Sequence, residues 1–157
     1  MLSSNSKKRI DQELKKYPDN QKRSAVIAAL QIVQTEKGWL SNEDISDVSI
    51  YLGIPQIAAL EVATFYNMFD LKKMGKYKIS VCTNISCMLR DAEELVSHIK
   101  KKFGIDFNEA TKDGKFYLKE SECMGACGGA PLMTINNHDM YENLSADKFD
   151  EIIKGLK

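Results

Sequence analysis

The chain reads as an α+β protein, with an N-terminal helical bundle over residues 1–74 followed by a mixed α/β domain over residues 75–157. Three observations predict this. Apolar residues recur at helical spacing through about the first seventy positions, strand-like alternation starts only at Tyr77, and a Lys/Gly-rich stretch near Lys72–Gly75 separates the two textures.

Ile10, Leu14 and Tyr17 lie on one helical face, and Pro18 stops that segment. A second helix carries Val26, Leu30 and Val33 and closes at Gly38, a natural C′ residue. Ser41 with Asp44 three positions on resembles a capping box, opening a helix through Ile45, Val48 and Leu52 up to Gly53. Pro55 suits the first turn of the next helix, which runs through Ile57, Leu60 and Thr64 into the aromatic cluster Phe65, Tyr66, Met68 and Phe69. Tyr77, Ile79 and Val81 alternate with polar residues as a strand leading into Cys82. The next helix sets Ala92, Leu95, Val96, Ile99 and Phe103 on its apolar side and ends at Gly104. Asp113–Gly114 signals a hairpin, and LMTI is a short strand with Asn136–Asn137 as its turn. A last helix starts at Ser145 and buries Phe149, Ile152, Ile153 and Leu156, giving a β-α-β-β-β-α order.

Twenty-two basic residues balance twenty-two acidic ones, so the chain lacks the charge footprint of a nucleic-acid binder. A helix–turn–helix reading of residues 41–66 suggests a zinc-stabilised DNA-binding protein. Its second helix, however, carries Glu61 as its only charge and has no Arg or Lys to reach phosphate or guanine. No apolar run suits a signal peptide or a spanning helix, which predicts a cytoplasmic protein without direct membrane insertion. In that compartment cysteines stay reduced, and paired thiols point to metal or catalysis rather than to disulfides.

The chemistry therefore centres on four cysteines, in a C-x4-C pair (Cys82, Cys87) and a C-x3-C pair (Cys123, Cys127). Zinc knuckles typically use C-x2-C and thiol-redox motifs use C-x-x-C; these looser spacings suit a two-iron centre with two thiolates per iron. Gly125, Gly128 and Gly129 let the second loop approach closely and turn amides toward an anionic centre, or simply close a tight loop. His98, on the outer face of its helix, and His138, in a turn, read as surface residues, since four cysteines already fill the site. There is no G-x-G-x-x-G after a strand and no Walker loop, so no independent catalytic site is expected.

Four segments in order, EVATFYNMF (Glu61–Phe69), CTNISCMLR (Cys82–Arg90), ECMGACGGAP (Glu122–Pro131) and YENL (Tyr141–Leu144), carry a resemblance over nearly the full chain. They resemble the thioredoxin-like [2Fe–2S] subunits of respiratory NADH–quinone oxidoreductase (complex I), the NuoE family of bacteria. The resemblance implies a helical bundle followed by a thioredoxin-like [2Fe–2S] ferredoxin domain, with Cys82, Cys87, Cys123 and Cys127 as cluster ligands. It implies an electron-transfer subunit within an NADH dehydrogenase, partnered by a NuoF-like flavoprotein subunit that binds FMN and NADH. It also implies contact with other peripheral-arm subunits and a place at the inner membrane as part of the complex. Similar subunits serve NAD-reducing hydrogenases and NAD-linked formate dehydrogenases. One departure is Gly129, where many relatives carry Asn before Ala-Pro; Pro131 is the position for a cis-proline.

Overall fold

Local capping chemistry sets the helix limits of the N-terminal part. In the computed structural model, which describes residues 1–156, the chain divides into two compact units, Met1–Lys73 and one beginning at Met74. In the first unit, α1 (Ser4–Leu14) is capped by the Ser3 hydroxyl, which accepts from the Ser6 N–H at 3.0 Å. It stops at Leu14 rather than reaching Tyr17, because the bonds from Lys16 N–H to Glu13 O and from Tyr17 N–H to Leu14 O tighten the chain ahead of Pro18. A 3-10 stretch, Asp19–Ala25, leads into α2 (Val26–Lys37), which ends at Gly38 with φ 84°. The helix α3 (Asn42–Leu52) opens with both halves of the Ser41–Asp44 capping box, and α4 (Gln56–Phe65) follows Pro55.

Ile10, Leu30, Val33, Leu40, Ile45 and Leu52 are almost wholly buried in the core of this unit. The helix α4 differs from its predicted stripe. It turns Ala58, Ala59 and Ala63 inward and leaves Ile57 and Thr64 exposed, since an alanine face allows close approach to neighbouring helices. The aromatic cluster also divides. Phe69 is core and Met68 packs against it, while Phe65 is 79% exposed and Tyr66 40% exposed.

The capping box makes a measurable contribution. Asp44 accepts from the Ser41 N–H at 3.0 Å and from its hydroxyl at 2.7 Å, and it also pairs with Lys37. Burial alone would raise the Asp44 carboxyl, but the bonds from Lys37 and Ser41 outweigh it and hold it below the usual Asp value of 3.8. A depressed folded-state pKa stabilises above the unfolded value, and that stability is lost as pH falls through the folded one. Ser41→Ala is expected to cost about 1 kcal/mol at neutral pH. Asp44→Asn should remove part of the loss of stability on acidification below about pH 4, followed by denaturant melts against pH.

The second unit is built on a five-stranded sheet of order β2-β3-β1-β4-β5. Here β1 is Tyr77–Cys82, β2 Glu109–Ala110, β3 Phe116–Ser121, β4 Met133–Ile135 and β5 Asp139–Tyr141. Central β1 pairs in parallel with β3 and antiparallel with β4. Flanked on both sides, it buries Lys78 and Ser80 as well as Ile79 and Val81, so the simple in–out alternation read from the sequence does not hold. The last strand, β5, is one more than the sequence pattern showed. Asn136 and Asn137, with φ 53° and 61°, fold the chain directly back onto β4 in the left-handed pair of a tight hairpin. At the other end Gly75 is required by packing, because a Cβ there would lie 2.8 Å from the Phe116 carbonyl carbon.

Helix α5 (Ile85–Met88) is a single turn absent from the sequence reading; α6 (Ala92–Phe103) and α7 (Ala146–Gly155) have the predicted limits to within a residue. Phe149 is wholly buried, 5.8 Å from the Phe103 ring, and Phe103 stacks on Phe116 at 4.7 Å. His98 is a correction to the sequence reading. It lies half-buried between α6 and α7, bonded to Asp150 at 2.9 Å with its ring against Phe149, whereas His138 is 90% exposed.

Candidate metal centre

The topology brings both cysteine pairs to one end of the sheet. Cys82 is the last residue of β1 and is paired in register with Ser121, the last residue of β3; Cys123 follows two residues later. The expectation that both pairs sit in loops needs refining. Cys82 ends a strand, Cys87 lies within α5, Cys123 is in the loop after β3, and Cys127 opens a 3-10 turn, Cys127–Gly129. A strand end and a short helix fix the first pair, while a glycine loop shapes the second.

The two pairs have contrasting surroundings. Cys82 and Cys87 are each 1% exposed, packed with Ala92, Ala130 and Leu132. Cys123 and Cys127 are exposed, and their sulfurs lie 3.3 Å apart. Burial, then the neighbouring Cys82 sulfur, push the Cys87 thiol up to about 11, partly offset by the Leu132 N–H. Cys123 moves the other way. Its thiol is lowered chiefly by the Gly125 N–H, which donates to the sulfur at 3.4 Å, and next by Cys127. Cys127 is raised, mainly by Cys123, and the Ser86 hydroxyl donates to it. The charge on Cys127 is felt at Cys87, and that on Cys82 at Cys127, so the thiols form one electrostatic group.

Gly125, at φ 83°, is the glycine that aims its amide at sulfur. Gly129 has a different task. A Cβ there would lie 2.0 Å from a Glu142 carboxylate oxygen and 2.7 Å from its Cβ, so the missing side chain admits Glu142. Around it, the Asn143 N–H donates to Gly129 O at 2.6 Å and the Leu144 N–H to Pro131 O at 3.0 Å, with Ala130–Pro131 in the cis form. The sequence reading did not single out Ser86, Asn84, Glu122 or Glu142. The one available signal was the density of polar residues directly flanking the cysteines.

Among the described residues no three Cys, His, Asp or Glu side chains close on one point as a single-ion site would. The thiols stand instead as two pairs with backbone amides directed at sulfur. Such a donor set suits an anionic centre of two bridged irons, each taking one pair. A small mixed sheet with these thiols at one end defines an iron–sulfur electron carrier on a thioredoxin-like scaffold.

The family model described as thioredoxin-like [2Fe–2S] ferredoxin matches residues 10–157, and the chain belongs to that family, alongside the E subunits of NADH–quinone oxidoreductase. It is 46% identical over 145 residues to the NuoE-type E subunit of NADH–quinone oxidoreductase from Rickettsia conorii, covering 92% of this chain and 86% of that one. It is 39% identical over 150 residues to the mitochondrial NADH dehydrogenase [ubiquinone] flavoprotein 2 of Dictyostelium discoideum, covering 95% and 60% respectively. The fold matches a chain of an air-oxidized NAD+-reducing [NiFe]-hydrogenase with a TM-score of 0.72 at 20% identity, over 89% of this chain and 24% of that one. At that identity the likeness is one of fold alone, and this chain spans about a quarter of the hydrogenase chain. Among the described residues, no helix is long and apolar enough to cross a membrane.

Proposed function

We propose that Cys82, Cys87, Cys123 and Cys127 hold the family's [2Fe–2S] cluster, and that the chain exchanges single electrons with the FMN of an NADH-oxidising flavoprotein subunit. The observation that carries this reading is the gathering of all four thiols at one end of the sheet as a buried pair and an exposed pair. When bound, the cluster supplies a one-electron acceptor. The residues around it do the rest. Cys82 and Cys87 anchor the buried side, Leu132 and Gly125 amides offset thiolate charge, and the exposed Cys123–Cys127 side faces an incoming redox partner.

Exposed apolar residues support docking in each unit. Ile85, Met88 and Leu89 surround Cys87 on the surface of the C-terminal unit, and Ile57, Phe65 and Tyr66 stand out on the N-terminal one. We assign residues 1–74 to docking on the complex and residues 75–157 to carrying the cluster. This places the chain on the cytoplasmic side, peripheral to the inner membrane, in contact with the flavoprotein and other peripheral-arm subunits. The respiratory assignment is favoured over a hydrogenase or formate dehydrogenase role, because relatives named for the respiratory enzyme reach 46% identity against 20% for the hydrogenase.

Anaerobic co-purification with the adjacent flavoprotein, followed by metal analysis, tests this. About two irons and two sulfides per chain are expected, with an S = 1/2 EPR signal only after reduction. Zinc in place of iron would refute the cluster, and failure to retain a flavoprotein would refute the partner.

A further inference from the structure

Two side-chain bridges tie the first thiol loop to the end of β3. The Asn84 amide donates to Glu122 Oε2 at 2.9 Å, and the Thr83 hydroxyl donates to Glu120 Oε1 at 2.8 Å. Between them the Thr83 N–H reaches Ser121 O at 3.1 Å. The β1–β3 pairing ends at Cys82 and Ser121, so the bridges continue the connection past the sheet into the loops that carry Cys87 and Cys123. Glu122 directly precedes Cys123, and its charge opposes negative charge on that sulfur.

We propose that Glu122, oriented by Asn84 across the two thiol loops, is a positioning residue whose fixed negative charge lowers the reduction potential of the cluster. This rests on the four-cysteine ligand set above. Reduction adds one electron to the site, with no bond made or broken, so the site becomes more negative by one charge. A carboxylate that cannot swing away makes that addition less favourable, as Coulomb repulsion requires. Glu122 is exposed, so water and salt reduce the effect without cancelling it. The companion Thr83–Glu120 bridge holds the same loop without lying next to a ligand in sequence, which leaves Glu122 as the charge nearest the exposed pair along the chain.

The test is a potentiometric titration of the complex, followed by the EPR signal of the reduced cluster, for wild type, Glu122→Gln, Glu122→Asp and Asn84→Ala. Gln keeps an acceptor for Asn84 while removing the charge. E122Q should favour the reduced form about threefold, a rise of about 28 mV at 59 mV per tenfold for one electron. E122D should stay near wild type, and N84A should rise by less than E122Q. A bridge serving only to hold the loops predicts the reverse order, with N84A shifted and E122Q unchanged, and that result overturns the proposal. Loss of iron from E122Q overturns it as well, because the amide preserves the hydrogen bond. If the four-cysteine reading itself fails, wild type gives no cluster signal, an outcome distinct from a normal signal whose potential ignores residue 122.

Discussion

Cys87→Ala is expected to abolish iron retention and to lower the stability of the C-terminal unit by about 3–4 kcal/mol relative to the loaded protein, the stabilisation given by a ligand present at several hundred times its Kd. Cys87 is 1% exposed and sits on the one-turn helix α5, so no other thiol is placed to substitute for it. The apo form should respond much less. Removing a buried sulfur whose thiol is already disfavoured as a thiolate leaves only a small gap among Ala92, Ala130 and Leu132. The difference between loaded and apo melts therefore isolates the cluster's share, as expected where metal binding is coupled to folding. A visible spectrum and iron content identical to wild type would remove Cys87 from the ligand set.

Phe149→Ala is expected to cost about 3–5 kcal/mol, the range for deleting a fully buried aromatic ring. Phe149 is wholly buried and meets Phe103 and His98 edge-on, joining α7 to α6 under the sheet. Its consequence should reach the thiol loop. The start of α7 follows directly on Asn143 and Leu144, whose N–H groups hold the Gly129 and Pro131 carbonyls. Loosening α7 should therefore speed iron release to a chelator as well as lower the denaturation midpoint. A loss under about 1 kcal/mol would show that the ring is not a keystone of this core.

These sites were unequally legible in the sequence. The Ser41–Asp44 cap, Gly38, Gly53, Gly104 and the Ser145 N-cap are local devices, and local chemistry alone is enough to read them. The four cysteines were legible for a related reason, since ligand spacing is a local pattern even when the ligand set spans distant segments. What escaped was decided by tertiary neighbours. The inward face of α4 depends on which helices lie beside it, and the burial of Lys78 and Ser80 depends on β1 being flanked on both sides. The fit of Glu142 over Gly129 joins residues thirteen positions apart through the β4–β5 hairpin. His98 followed the same rule, since its partner Asp150 comes from another helix.

The mounting of Cys82 also bears on speed. It ends the one strand of the sheet that is hydrogen-bonded in register on both sides, and its N–H is held by Leu132 O at 3.1 Å. A sulfur fixed in this way moves little when the charge beside it changes. A site already arranged for both charge states reorganises little at the moment of transfer. The sheet thus gives the buried half of the centre a rigid seat, and the nuclear motion that accompanies each electron falls to the glycine loop of Cys123 and Cys127.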